Sequence, residues 1–180
     1  MSTCGASSIG VRAFVPLLLA SAEGGHVVNT ASMGGLIGGP VTDPYAATKH
    51  AVVGLSKGLR AELKMRGAKV GVTVVCPGRV STRILDRLNH RPGVAPDVPL
   101  PAELQAIADS MRATGTTGAT PTEAGRMIRD AIKLDRFWVF PGAEAHRPLL
   151  ERDLAELLGA FPRVAPVVPV DPPAPAGGPL

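Results

Sequence analysis

The chain has 180 residues, 45% of them hydrophobic, which is enough for one globular domain with a buried core and too few for two. Aromatic residues make up only 3%, and there are 21 glycines and 18 prolines, so the core must be aliphatic, as in layered α/β proteins. The net charge of +4 comes from basic residues scattered among acids, which argues against a nucleic-acid-binding protein.

Few residues could mark a cellular compartment or a metal site. The two cysteines, Cys4 and Cys76, form neither a CxxC pair nor a disulfide framework, which favours the reducing cytoplasm. The four histidines are dispersed and lack metal-ligand spacing, so we predict no metal site. A stripe of arginines at every fourth position, interpreted as a solvated face, comprises Arg79, Arg83, Arg87 and Arg91.

The first predicted element is a helix over residues 9–22, which ends before Gly24 and Gly25. The preceding residues, 1–8, are predicted to be irregular. Arg12 followed by AFVPLLLASA also imitates a secretory signal, which leaves open a secreted protein whose mature end is Glu23. The single arginine and the interrupting proline favour a buried or amphipathic helix instead.

The next two elements are a strand and a long helix. The segment HVVN, residues 26–29, predicts a short buried strand, and the small-residue loop TASMGGLIGGP follows it. A helix is predicted over residues 44–66, because Asp43 can cap its start and Pro44 suits its first position. Its predicted buried stripe consists of Ala51, Leu55, Leu59 and Leu63.

The rest of the chain predicts two more strands and three more helices. The β-branched segment VGVTVVC, residues 70–76, is typical of a parallel strand covered on both faces, and it ends at Pro77 and Gly78. Helices are predicted over residues 102–112, 120–134 and 147–158, the second of which starts with a capping box. Residues 137–140, FWVF, predict the last strand, and the proline-rich residues 159–180 predict a disordered tail.

This alternation of helices and strands over residues 9–158 predicts an α/β fold with a doubly wound parallel sheet. In such folds ligands bind beyond the carboxyl ends of the strands. The TAS loop after the first strand and the Pro-Gly pair after the second both lie at those ends. We therefore expect a functional site between these two loops.

Three polar residues near this edge could carry acid–base chemistry. Tyr45, the only tyrosine, precedes Lys49 by four residues, so a helix places both on one face. An ammonium about 4 to 5 Å from a phenol stabilises the phenolate by roughly 3 to 4 kcal/mol at an effective dielectric constant near 20, which suits a group that exchanges a proton. Ser32, 13 residues before Tyr45, could polarise a substrate oxygen. Each residue alone has an ordinary structural explanation, and only the combination indicates catalysis.

The combination resembles the short-chain dehydrogenase/reductase family of the classical type, in the C-terminal half of its pattern. The resemblance implies a partial Rossmann-like sheet and an oxidoreductase that uses NAD or NADP to transfer hydride to or from an alcohol or carbonyl. The catalytic residues it implies are Ser32, Tyr45 and Lys49. The cofactor-binding residues it implies are Tyr45, Lys49, Pro77, Gly78, Val80 and Thr82.

Parts of the family pattern have no counterpart in this sequence, including its NNAG-type segment and the asparagine that should fall near Thr3. The glycine-rich turn that would hold the cofactor pyrophosphate is missing before Ile9. We therefore expect the sheet to lack its N-terminal nucleotide-binding half, with HVVN at an open edge beside exposed apolar helix faces. We also expect cofactor affinity and activity to be weak. The residues that distinguish NAD from NADP belong to the missing half of the pattern, so both cofactors are expected candidates.

Two functions from different classes remain. The leading hypothesis is an enzyme acting on a small-molecule alcohol or carbonyl. The alternative is a non-catalytic half-domain whose helix over residues 44–66 pairs with a partner, and the resemblance also implies a homo-oligomer formed through that helix. Neither a nucleic acid nor a membrane is a predicted partner.

Overall fold

The computed structural model describes residues 3–39, 43–82 and 118–162, together with a few positions between 84 and 109. Short 3₁₀ turns occupy Met33–Gly35 and Glu144–His146. The remaining elements, in chain order, are α1 (Thr3–Ala20), β1 (Gly25–Thr30), α2 (Asp43–Met65), β2 (Val70–Val75), α3 (Pro121–Lys133), β3 (Trp138–Val139) and α4 (Arg147–Ala160). The predicted alternation of helices and strands is thus present in the described part of the chain.

The described strands form one parallel sheet with the order β1-β2-β3. Gly25 pairs with Val70 at one end of the first ladder and Thr30 pairs with Val75 at the other. The carboxyl ends of β1 and β2 therefore lie side by side at the same edge of the sheet. This confirms the predicted α/β class and places the two polar loops next to each other.

Helices cover both faces of β2, as its β-branched sequence predicts. On one face, α1 and α2 pack on a core that includes Val52, Leu59, Val72 and Val74. On the other face, α3 packs on a smaller cluster of Val75, Ala131 and Val139. The sheet is therefore doubly wound in the described residues.

The buried stripe of α2 differs from the predicted one. Ala51 is exposed, whereas its neighbour Val52 is completely buried. The residues that face the core are Ala46, Lys49, Val52, Val53, Ser56, Leu59 and Leu63. A spacing of strictly four residues, as in the predicted stripe, drifts around a helix with 3.6 residues per turn, so only its second half coincides with the core.

Several predicted boundaries were wrong. Helix α1 begins at Thr3, although residues 1–8 were expected to be irregular. The side chains of Val11, Val15 and Leu18 pack on the core, and extending a helix backwards from such an anchored part costs little per residue. Helix α4 continues to Ala160, past the predicted start of the tail at 159, and β3 is shorter than residues 137–140.

Other predictions fall on positions outside the described residues. They include most of the helix predicted over 102–112, the tail from residue 163, and three arginines of the predicted stripe, namely Arg83, Arg87 and Arg91.

The first strand lies at an edge of the sheet in the described residues, because β1 pairs only with β2. The adjoining helix α1 exposes large apolar side chains, with 63% of Phe14 and 65% of Leu17 accessible to solvent. Both observations match the expectation of an open edge beside apolar helix faces. No helix in the described part of the chain is long and apolar enough to cross a membrane.

Candidate active site

Backbone hydrogen bonds join the loop after β1 to the end of β2. The amide of Ala31 donates to the carbonyl of Val75 at 2.8 Å, and the amide of Met33 donates to the carbonyl of Pro77 at 2.9 Å. Ser32 lies between these two anchors and begins the 3₁₀ turn, where its Oγ accepts a hydrogen bond from the Gly34 amide at 3.2 Å. The Ser32 hydroxyl is therefore held at the carboxyl edge of the sheet.

Helix α2 brings Tyr45 and Lys49 to the same edge. Tyr45 lies in the first turn and Lys49 one turn later, and the Lys49 Nζ is 5.6 Å from the centroid of the Tyr45 ring. The Lys49 ammonium also donates a hydrogen bond to the carbonyl oxygen of Thr30 at 3.3 Å. That carbonyl ends β1, so the lysine reaches from the helix to the strand.

Gly34 shows that Ser32 and Tyr45 are neighbours. A methyl group built on Gly34 would lie 3.1 Å from Tyr45 Cε1 and 3.7 Å from Ser32 Oγ. Both side chains thus border the same small space above the turn. The structure therefore brings together the three residues predicted to be catalytic: Ser32, Tyr45 and Lys49.

A second glycine of the turn sets the distance between the turn and α2. A methyl group built on Gly35 would lie 2.7 Å from the carbonyl oxygen of Lys49 and 3.1 Å from Val53 Cγ2. Real Cβ atoms do not approach a backbone oxygen this closely. Gly35 is therefore required for the helix to lie against the turn at the point where Lys49 enters the site.

The electrostatics of the site depend on burial. Only 8% of Lys49 is exposed, and this burial lowers the pKa of its ammonium, while the nearby Cys76 sulfur partly opposes the shift. Burial raises the pKa of the Cys76 thiol to about 11, against opposing effects of the Ser32 amide and the Lys49 charge. Cys76 is completely buried, and its thiol lies near enough to Lys49 for the two groups to influence each other's pKa.

The attraction between the tyrosine and the lysine is weaker than the sequence suggests. Tyr45 is 49% exposed, so water screens its interaction with Lys49 and reduces it below the 3 to 4 kcal/mol expected from the sequence at an effective dielectric constant near 20. The phenol keeps direct access to solvent. A substrate could therefore reach it without any rearrangement of the helix.

The comparisons with known proteins agree with this geometry. The family model described as short chain dehydrogenase matches residues 5–93. A 1-deoxy-11-beta-hydroxypentalenate dehydrogenase from Streptomyces avermitilis is 39% identical over 138 residues, which cover 77% of this chain and 43% of the relative. The chain belongs to the short-chain dehydrogenase/reductase family. It spans about half the length of the curated relatives it matches.

Other family members extend the comparison. An A-factor type gamma-butyrolactone 1'-reductase (1S-forming) from Streptomyces virginiae is 37% identical in an alignment that covers 61% of this chain and 47% of the relative. A crystal structure of a short chain dehydrogenase/reductase from Burkholderia phymatum, in complex with NAD, superimposes with a TM-score of 0.74 at 30% identity. That superposition covers 89% of this chain and 58% of the other. The curated relatives are thus named as dehydrogenases and reductases, and the solved structure shares the Rossmann-like fold.

The family's Pro-Gly segment has a structural role in this chain. The amide of Gly78 donates to the carbonyl of Pro141 at 3.0 Å. A methyl group on Gly78 would lie 2.3 Å from the carbonyl oxygen of Gly142 and 2.6 Å from Ala143 Cα. The close approach that requires glycine here is therefore made by the loop after β3, and the predicted contact with a cofactor remains a prediction.

Of the other residues predicted to bind cofactor, only some contact the loop or helix that carries the predicted catalytic residues. Pro77 touches the Ser32 loop through its carbonyl, as described above. Val80 forms a parallel bridge with Ala119, two residues before α3, and Thr82 is exposed. No described contact joins Val80 or Thr82 to Tyr45 or Lys49, so their roles stay predictions from the family pattern.

Two polar residues that were not predicted from the sequence as functional lie behind the site. Asn29 is buried in β1 and donates a hydrogen bond from its side-chain amide to Ser56 of α2, at 3.0 Å. Both stand at core positions among aliphatic residues. A polar residue in a buried strand or in an apolar helical stripe is a signal that can be recognised in the sequence.

Proposed function

We propose that this protein is an NAD(P)-dependent oxidoreductase that interconverts an alcohol and a carbonyl. The observation that supports this most is the convergence of Ser32, Tyr45 and Lys49 at the carboxyl edge of a parallel sheet, where α/β proteins bind ligands. A hydroxyl, a phenol and an ammonium around one space are the groups that carbonyl reduction needs: a polariser, a proton donor and a cation.

The N–H groups of the Lys49 ammonium are suited to bind the ribose at the nicotinamide end of such a cofactor. Among the described residues, its buried ammonium donates to only one acceptor, the Thr30 carbonyl, although it has three N–H groups. Buried donors are normally satisfied. The vicinal hydroxyls of a ribose would supply the missing acceptors, so Lys49 would hold that ribose, with Tyr45 and Pro77 beside it.

The chemistry then divides between the cofactor and the chain. A bound nicotinamide would supply or accept the hydride. Ser32 donates a hydrogen bond to the reacting oxygen and polarises it. Tyr45 gives its phenolic proton to that oxygen during reduction and takes it back during oxidation, and the positive charge of Lys49 stabilises the phenolate formed in between. Because Tyr45 is half exposed, the phenol can exchange its proton with solvent after each turnover.

The names of the relatives support the substrate class. One is called a 1-deoxy-11-beta-hydroxypentalenate dehydrogenase and another an A-factor type gamma-butyrolactone 1'-reductase. Both names describe reactions at an alcohol or carbonyl carbon of a small molecule. We therefore propose secondary alcohols and ketones as the first substrates to test for this chain.

The test measures consumption of reduced nicotinamide with a panel of ketones. NADH, NADPH and reduced nicotinamide mononucleotide, which lacks the adenosine half, are compared as donors. Because the site residues proposed here contact only the nicotinamide and its ribose, we expect the mononucleotide to support turnover comparable to that with NADH. Rates no higher than those of a Ser32→Ala/Tyr45→Phe variant with all three donors would refute the proposal.

We also propose that copies of the chain associate through α2. The side of this helix that faces solvent has small residues at spacings of four, three and four, which would let two helices approach closely. These exposed residues are Ala47, Ala51, Gly54 and Gly58.

A cytoplasmic location is proposed as well, supported by the free thiol of Cys76.

A further inference from the structure

The interface between β1 and α2 contains one polar pair inside an apolar core. The Asn29 side-chain amide donates to Ser56 Oγ at 3.0 Å, and Ser56 Oγ donates to the carbonyl of Val52 at 2.7 Å. Asn29 is 7% exposed and Ser56 is completely buried. The pair thus joins the strand to the helix where the surrounding side chains are aliphatic.

This pair is adjacent to Lys49 on both elements. Asn29 directly precedes Thr30, whose carbonyl accepts the Lys49 hydrogen bond at 3.3 Å. Ser56 follows Lys49 by seven residues, which is two turns along the same face of α2. The strand and the helix are therefore connected by two consecutive polar contacts, one from Asn29 to Ser56 and one from Lys49 to Thr30.

We propose that Asn29 and Ser56 are positioning residues for Lys49. They fix the rotation and the height of α2 against β1 so that the ammonium of Lys49, which lies beside Tyr45 on the same helix, reaches the Thr30 carbonyl. The inference rests on the proposed function for its catalytic meaning. The geometry that it concerns, the position of Lys49, can be measured without any turnover.

The effect of apolar replacements on stability distinguishes a positioning pair from a pair that only stabilises the fold. Replacing both members of a buried hydrogen-bonded pair with apolar groups of similar shape is close to neutral for stability, because no partner is left unpaired. An apolar contact is compatible with several positions of the helix against the strand. A hydrogen bond of normal geometry is compatible with only a narrow range of such positions. A pair kept only for stability could be replaced freely, but a positioning pair could not.

The test uses the double variant Asn29→Leu/Ser56→Ala. The rate of acetylation of Lys49 is measured by mass spectrometry against pH, with the exposed Lys133 as internal standard, alongside kcat and KM for the best substrate. We expect the variant to fold and Lys49 to titrate at higher pH, because its ammonium becomes hydrated. We expect kcat to fall by about 10- to 100-fold, because a small misplacement of a catalytic group lowers the rate by about this factor.

A second pair of variants covers the case in which the double variant does not fold. Ser56→Thr keeps the hydroxyl, whereas Ser56→Val has the same shape without it, so both impose the same crowding. We expect the threonine variant to show the wild-type Lys49 titration and the valine variant to show the shift. The matched control is His26→Leu/Thr73→Val, which removes another hydrogen-bonded pair of 2.7 Å in the same sheet and should leave Lys49 unchanged.

The outcomes are distinguishable. A shift of the Lys49 titration to higher pH that occurs only in the double variant and in Ser56→Val supports the positioning role. This conclusion holds even if the wild-type chain turns over none of the substrates and the proposed function fails. Wild-type titration of Lys49 in both the double variant and Ser56→Val, or an equal shift in the His26/Thr73 control, would overturn the positioning role. In that case turnover by the wild type would leave the proposed function intact.

Discussion

The ammonium of Lys49 donates a hydrogen bond to the main-chain carbonyl of Thr30, across 3.3 Å between a helix and the last residue of a strand. The acceptor belongs to the backbone, so a change of side chain at position 30 cannot remove it. The lysine is consequently positioned by the fold itself, and its second contact, with the Tyr45 ring, is made at a defined distance of 5.6 Å.

Lys49→Met should separate activity from stability. A buried ammonium is costly, and methionine fills similar space without charge, so we expect the free energy of unfolding to be unchanged or raised by about 1 kcal/mol. Turnover should fall by about 100-fold or more, because the phenolate loses its cation. Thermal unfolding and initial rates measure both effects. Lys57→Met, at an exposed position of the same helix, is the control that should keep wild-type rates.

Gly35→Ala should damage the site without touching any catalytic side chain. Its new methyl group would meet the Lys49 carbonyl oxygen at 2.7 Å, and the resulting overpacking should cost about 1 to 3 kcal/mol of stability. We expect a parallel loss of turnover as α2 moves away from the turn. Gly38→Ala, where nothing lies within 4 Å, is the matched control. Equal behaviour of the two variants would argue against the close approach described here.

Cys76 should make stability depend on alkaline pH. Its thiol pKa is raised from the ordinary 9.0 to about 11 by burial, so the folded state binds more protons than the unfolded state between these values. The neutral thiol therefore contributes stability below about pH 9 that is lost as pH rises towards 11. At about pH 10 we expect wild type to have lost about 1.4 kcal/mol relative to Cys76→Ala. Urea titrations over this range measure the difference, and parallel pH profiles would contradict it.

Gly54→Arg should dissociate oligomers without affecting the fold. No atom lies within 4 Å of a methyl group built at this exposed position, and arginine is a good helix former. If α2 forms the contact between copies, a bulky charge in its small-residue stripe should give monomers by light scattering. An unchanged molar mass of wild type and variant would place the contact elsewhere or show that the chain is monomeric.

Local patterns were sufficient to predict much of the fold. The four-residue spacing of Tyr45 and Lys49 fixed their common face once α2 formed, and the β-branched run of β2 indicated a strand covered on both sides. Chain order then placed Ser32 and Pro77 at one edge of the sheet. These features depend on neighbours in sequence or on the regular geometry of parallel strands.

The remaining features depend on contacts between distant elements. Three contacts require the packing of a helix on a strand: the approach of Gly35 to the Lys49 backbone, the proximity of Cys76 to the Lys49 ammonium and the hydrogen bond from Asn29 to Ser56. Helix periodicity alone gave a buried stripe that included the exposed Ala51. The rotation of α2 against the sheet determines these contacts, and no local sequence pattern predicts that rotation.

The central claim is that Tyr45 exchanges a proton with the substrate, and turnover by Tyr45→Phe tests it most directly. Phenylalanine keeps the ring beside Gly34 and Lys49, so the thermal transition should match that of the wild type. Nicotinamide consumption with the best ketone should fall by on the order of a thousandfold. Comparable turnover by wild type and Tyr45→Phe, with both chains folded, would contradict the claim.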